Sequence, residues 1–348
     1  MRKRVVVRRG SVGRVGRRTV VAVGLSVLAL VSACSSDTES GSTEGSVTVT
    51  HAYGETVVPA DPQRVVSVGL TEQDTLLALG VVPVGVTEWY GEQPDATWPW
   101  AHDLLGDARP EVLTQDDGIQ FEKVTALEPD LIIGTNAGMT QDDYTRLSAI
   151  APTIAHSDVD SPYFEPWDQQ TRTIGAALGK PDEAETLVEN VRTRYREAAE
   201  AHPEFAGKKA VLLQNAIYDG NAIAYQDGLS TDFLTSLGFE IPSELDAFVQ
   251  EEDAQAYIPL ENLSVLDSAD VLLWATESPE DRATLEADPV YSSLQEVREN
   301  RLVFTDAITA GAIYFTSPLS LPYLLDSLVP AFESTLAGDG AATTTAPA

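Results

Sequence analysis

The chain states one phrase twice. Residues 121–135 read FEKVTALEPDLIIGT, and residues 260–276 read LENLSVLDSADVLLWAT. Aligned, Glu122 falls on Glu261, Val124 on Leu263, Thr125 on Ser264 and Leu127 on Leu266. Glu128 then meets Asp267, and Asp130 meets Asp270 after a one-residue slip. Each copy opens with apolar residues at helical spacing. Each closes in a continuous apolar run, LIIG or VLLW, of the kind that forms a strand buried on both faces. Helix, short turn and buried strand make half of a parallel α/β unit. A second echo follows in the same order, GLTEQDTLLALG (69–80) against GLSTDFLTSLG (228–238). Two ordered echoes predict two similar α/β lobes.

The periodicity fills in the rest. RVVSV, VPVGV and LIIG read as first-lobe strands, with helices at 71–79, 121–128 and 141–149. The second lobe reads as AVLLQ, helices at 230–237 and 260–267, VLLWAT, a helix at 289–299, RLVFT and a last helix from about 319 to 335. Between them, residues 181–202 start at a Pro followed by acids. Apolar residues recur there at Ala184, Leu187, Val188, Val191, Tyr195 and Ala199, which predicts one long helix. Such a helix limits hinge closure between the lobes.

The amino-terminal end reads as an export signal. It holds eight of the 22 Lys/Arg and none of the 54 Asp/Glu, followed by the apolar run TVVAVGLSVLALVSA and then Cys34, the one cysteine of the chain. VSAC resembles a bacterial lipobox, in which the leader is cut before a cysteine that takes a lipid. Sec and twin-arginine export remain open, although Arg17-Arg18 stand in the leader. Residues 35–46, SSDTESGSTEGS, suit a flexible tether. The expected organisation is a signal peptide at 1–33, lipidated Cys34 and tether at 34–50, a first lobe at 51–167, linking helices at 168–203, a second lobe at 204–338 and a disordered tail at 339–348. A net charge of −32, more negative still once the leader is removed, argues against nucleic acid as a partner.

A lipobox, a polar tether, RVVSVGLTEQDTLLALG, VPVGVTEW, FEKVTALEPDLIIGT, APTI and a long linking helix occur in this order. The series covers nearly all of residues 60–335. It resembles the periplasmic-binding proteins that deliver ferric siderophores, haem or cobalamin to ABC importers. Through PYFEPWDQQTRTIGAALG in part, it looks most like the iron–siderophore branch of Gram-positive actinobacteria. The resemblance implies an α/β fold of two Rossmann-like lobes with parallel sheets, joined by a single long α-helix, with a ligand cleft between them. It also implies a monomer on the outer face of the cytoplasmic membrane, held through its lipid anchor and docking on a membrane permease. Cobalamin or haem is the runner-up ligand, and an exported α/β hydrolase the reading from another class.

In open α/β sheets, ligands sit beyond the carboxyl ends of the strands. Aromatic residues gather in those loops, and three of the five Trp lie within 89–100. The expected ligand contacts are Trp89, Tyr163, Tyr218, Tyr225 and Tyr314, with Tyr90 and Trp274 behind them. Trp98, Trp100 and Trp167 are expected to pack their own loops. The four His, at 51, 102, 156 and 202, have no metal-ligand spacing, so no protein-held metal is expected. No G-x-S-x-G, G-x-x-x-x-G-K-[ST] or H-E-x-x-H motif occurs, and no catalytic residue is assigned. Of the cations, only Arg282 and Arg109 stand where they could reach the loops. The resemblance implies one permease-docking carboxylate on each lobe tip, with candidates Asp142 or Asp143 on the first lobe and Glu240 and Glu244 on the second.

Overall fold

The computed structural model describes residues 45–348, apart from Asp116, 158–162, Phe164, Leu229, 251–253, Ala346 and Ala348. The expected signal peptide, Cys34 and most of the expected tether lie outside the described residues. Among the described residues, no helix is long and apolar enough to cross a membrane.

A hairpin, β1 (Val47–His51) and β2 (Gly54–Val58), precedes the first lobe. The lobe's sheet comprises β3 (Val65–Ser67), β4 (Gly85–Thr87), β5 (Glu111–Leu113), β6 (Leu131–Gly134) and β7 (Thr153–Ala155). All are parallel, in the order β5-β4-β3-β6-β7. Every residue of β3, β4, β6 and β7 is buried, as their continuous apolar character requires. The crossovers are α1 (Glu72–Ala78), the short α2 (Pro99–His102), α3 (Phe121–Ala126) and α4 (Gln141–Ser148).

Two helices then join the lobes, α5 (Trp167–Ala177) and the 21-residue α6 (Pro181–Ala201). At 1.5 Å per residue, α6 spans roughly 32 Å. One helix serves both cores: Ala184 lies in the first-lobe core, and Val191 and Tyr195 lie in the second. The Tyr195 hydroxyl donates to the Leu321 carbonyl at 2.9 Å. Arg172 binds Glu185, and Arg192 binds Asp168, each at 2.7 Å, so α5 and α6 are clamped together.

The second sheet contains β8 (Ala210–Tyr218), β9 (Asn221–Ala224), β10 (Ala256–Pro259), β11 (Val271–Ala275), β12 (Leu302–Phe304) and β13 (Ala342–Thr343), in the order β10-β9-β8-β11-β12-β13. It is not wholly parallel, because β9 runs antiparallel to both neighbours. Asp219 and Gly220, with φ of 48° and 78°, make a two-residue turn that sends the chain straight back. The tail expected to be disordered supplies β13. It covers the outer side of β12, and Thr344 N donates to the Phe304 carbonyl at 2.8 Å. Without it, β12 would present an unpaired edge.

The helices of this lobe are α7 (Asp232–Ser236), α8 (Pro279–Ala287), α9 (Gln295–Arg298), α10 (Ala307–Phe315) and α11 (Ser320–Ala337). Four differ from expectation. Helix α8 stands where the sequence predicts no helix, between the repeated strand and 289–299. The repeated phrase forms a 3-10 run at Leu260–Ser268, whose Leu263 and Leu266 bury one edge at the i, i+3 spacing such a turn favours. The helix expected at 289–299 splits into a turn at Tyr291–Ser293 and α9. Helix α10 was not anticipated. Its apolar residues lie all around it, so they give no amphipathic signal, and Asp306 caps it by accepting from Ile308 N and Thr309 N at 2.9 Å.

Candidate functional site

The loop after β4 carries Trp89 and Tyr90, and continues to Trp98 and Trp100. The rings of Trp98 and Trp100 stack at 5.1 Å and 3°. From the second lobe, Phe315 approaches to 5.6 Å from Trp98 and 5.3 Å from Trp89, and Tyr323 to 5.5 Å from Trp100. Gly311 of α10 makes room: a Cβ there would sit 2.3 Å from the Trp98 ring. Trp98 and Trp100 thus pack as expected, but across the lobe boundary.

A buried carboxylate seals that contact. Asp74 of α1 accepts from Trp100 Nε1 at 2.7 Å and from Ser317 Oγ of the second lobe at 2.5 Å. Burial pushes its carboxyl up to about 6, with the Ser317 and Trp100 hydrogen bonds pulling the other way. A carboxyl raised in the fold stabilises it when protonated. That contribution is complete below 3.8 and lost as pH rises through about 6. Asp74→Asn, neutral at every pH, is therefore expected to be more stable than the parent by roughly 3 kcal/mol at neutral pH. The two should converge near about pH 4. Melting temperatures of the pair across this range test it, and a gap that does not narrow on acidification contradicts it.

Beside the lobe contact lies a tyrosine cluster. Tyr90 stands 4.9 Å from Trp89 and 6.1 Å from Tyr314, and Tyr314 stands 6.4 Å from Tyr225. Burial raises the hydroxyls of Tyr90 and Tyr314 far above the ordinary phenol range, and the charge of Glu277 adds to both. Tyr218 projects from the β8–β9 hairpin, 40 % exposed, and binds Asn215. Burial raises it first, the Asn215 hydrogen bond opposes this, and the charges of Glu277 and Asp281 add to it. The structure thus brings Trp89, Tyr90, Tyr314 and Tyr225 into one chain of ring contacts, and the charge of Glu277, an acid that sequence reasoning did not single out, reaches Tyr90, Tyr218 and Tyr314. Its signal was position, just after the repeated strand.

Two expectations need correction. Trp274 is fully buried, packed at 5.7 Å against Tyr291 in the second-lobe core. Strand β11 runs on through Ala275, so this Trp points to the sheet face rather than into a loop. Tyr225 is only 6 % exposed and packs beside Tyr314, ring centroids 6.4 Å apart, more than it presents a surface. Tyr163 is 42 % exposed, and its ring lies over Gly138, where a Cβ would come within 1.9 Å.

The segments that follow Tyr163, Tyr225 and Tyr314 also line a cavity of about 430 Å³. Its walls include Glu165 and Trp167, Asp232 and Phe233, Thr316, and Arg192 and Arg196 of α6. Trp167 therefore has a cavity face. Of the two arginines, Arg192 is engaged by Asp168 at 2.7 Å and Glu189 at 3.2 Å. Neither cation expected near the loops offers itself. Arg282 binds Glu286 at 2.8 Å and lies over the Phe304 ring at 4.3 Å, while Arg109 pairs with Asp95 at 3.5 Å. Among the described residues, no Lys or Arg forms an ion pair with Glu277.

The docking candidates separate. Asp142 and Asp143 begin α4 just after β6, at the post-strand end of the first sheet. Asp143 is committed to a capping box with Thr140. Glu240 pairs with Lys209 through the backbone in an isolated β-bridge, and the Glu244 carboxylate binds Lys209 at 3.3 Å, at the start of β8 and so at the opposite end of the second sheet. The two sets cannot form equivalent tips.

Comparison with known proteins gives concordant results. Residues 65–309 match the family model described as periplasmic binding protein. The probable siderophore-binding lipoprotein YfiY of Bacillus subtilis is 27% identical over 335 residues, 90% of this chain and 97% of that protein. A periplasmic solute binding protein of Mycobacterium smegmatis superposes with a TM-score of 0.79 at 47% identity, over 84% of this chain and 99% of that one. Streptococcus pneumoniae PiaA, solved in complex with ferrichrome, gives 0.70 at 25% identity, over 84% and 99%.

Proposed function

Because the chain belongs to the periplasmic binding protein family, we propose that it captures a ferric siderophore outside the cell and hands it to an ABC permease. The hydroxamate type fits best, and a lipid on Cys34 would hold the protein at the outer face of the cytoplasmic membrane. The names of similar proteins support the ligand class, among them YfiY and the ferrichrome complex of PiaA. The observation that carries the hydroxamate reading is the tyrosine cluster: the charge of Glu277 reaches Tyr90, Tyr218 and Tyr314, and no Lys or Arg pairs with Glu277 among the described residues.

A ferric centre held by three hydroxamates is neutral, and a free amine on the chain makes it cationic. A tris-catecholate complex carries three negative charges and calls for cations, most economically Arg. Here Glu277 has no ion pair among the described residues, Arg192 on the cavity wall is already engaged by Asp168 and Glu189, and the protein is strongly acidic, so a trianion meets repulsion with little local compensation. Aromatic rings supply apolar area with polar tips for a bulky chelate.

Titration against a panel of ferric and metal-free chelators, read by quenching of Trp emission, tests the reading. Truncating Tyr218 to Ala is expected to weaken ferric hydroxamate binding by about 1–2 kcal/mol, while Arg282→Ala changes it little. Added salt should weaken binding only slightly. A larger loss from Arg282→Ala than from Tyr218→Ala would sink the charge argument.

A further inference from the structure

We propose that His202, Glu204 and Glu333 form a divalent-cation site that ties the end of the linking helix to the last helix of the second lobe. His202 is the residue after α6, Glu204 lies in the turn Pro203–Phe205, and Glu333 lies near the end of α11. His202 Nδ1 is 3.3 Å from Glu204 Oε1 and 3.2 Å from Glu333 Oε1, and all three ligand atoms lie within 4.8 Å of one another. A Zn²⁺ held at about 2.0–2.2 Å by tetrahedral N and O ligands has ligand–ligand edges of about 3.3–3.6 Å. The two edges at His202 Nδ1, 3.3 and 3.2 Å, are close to that geometry.

The imidazole is held for the task. Its ring stacks on Phe205 at 5.1 Å and 13°, and its side chain is 19 % exposed. The carboxylates are about half exposed, which leaves a face for a water ligand. A proton on Nδ1 would lie in line with only one of the two carboxylates, whereas a cation engages all three atoms at once. An imidazole with two carboxylates suits Zn²⁺ better than the all-oxygen set preferred by Ca²⁺ or Mg²⁺. The cluster sits beside the start of β8, at the end of the second lobe away from the post-strand loops. It is thus separate from the tyrosine cluster, and its test stands or falls apart from the siderophore reading.

The test uses the untagged full chain, first treated with a chelator. Calorimetric titration with Zn²⁺ is expected to reveal one saturable site tighter than millimolar, and Zn²⁺ should raise the melting temperature. His202→Ala and Glu333→Gln should each abolish that site and the thermal shift, and Ca²⁺ should fail to substitute. The folded state of each variant is checked by its metal-free melting. The proposal is overturned if the parent binds no Zn²⁺ saturably, if His202→Ala binds it as well as the parent, or if Ca²⁺ binds equally. The last two results would mean only diffuse attraction to acids.

Discussion

Reversing Glu122 and Glu261 to Lys together is expected to abolish ligand uptake by cells and to leave the purified protein's affinity for ligand unchanged. The repeat itself equates these two acids. Glu122 lies in the first turn of α3, after the edge strand β5. Glu261 lies in the first turn of Leu260–Ser268, after the edge strand β10. Because β9 is antiparallel to both β8 and β10, β10 runs with β8, and both acids stand at post-strand ends. Both are exposed. They therefore form an equivalent pair of tips, which Glu240 and Glu244 cannot complete. A permease surface bearing arginines would lose two favourable contacts and gain two like-charge clashes. Uptake assays beside titrations of the purified variant separate docking from binding. Undiminished uptake, or uptake lost only with Asp142→Lys, would move the first-lobe contact elsewhere.

Trp274→Ala is expected to destabilise the protein by about 3–5 kcal/mol, the cost of emptying a buried aromatic site. That is a large share of the roughly 5–15 kcal/mol that holds a domain together. The indole lies among Val211, Leu213, Leu272, Tyr291 and Phe304, with no surface exposed. Its Nε1 finds no hydrogen-bond partner among the described residues, so Trp274→Phe should cost much less, under about 1.5 kcal/mol. Denaturant melts read both, and ligand affinity of the folded fraction should be unchanged. A stable Trp274→Ala protein with impaired binding would restore this residue to the cleft.

What was legible in the sequence was what has a local pattern. The repeat located β6 and β11, whose apolar runs are buried throughout, and the 3.6-residue periodicity of 181–202 located α6 to within a residue. Short parallel strands such as β5 and β7 have too few residues to declare a period. The Asp219-Gly220 turn was readable as a hairpin signal, yet the expectation of parallel strands obscured it. Helix α10 is apolar on every side, so its sequence AITAGAIYF distinguishes neither helix nor strand. Aromatic residues marked the right region but not their own directions: Trp274 points into a core that only the strand's full length defines. The Asp74–Ser317 bond joins residues 243 apart. No local pattern encodes such a contact, because the lobes must first be placed side by side.

The measurement closest to the central claim is calorimetry with two ferric ligands at physiological ionic strength. A cationic ferrioxamine and a ferric tris-catecholate offer similar bulk and opposite charge to the tyrosines that feel the charge of Glu277. The structure predicts that ferrioxamine binds tighter, and that Glu277→Gln narrows the difference. A tris-catecholate that binds tighter than ferrioxamine would contradict the account.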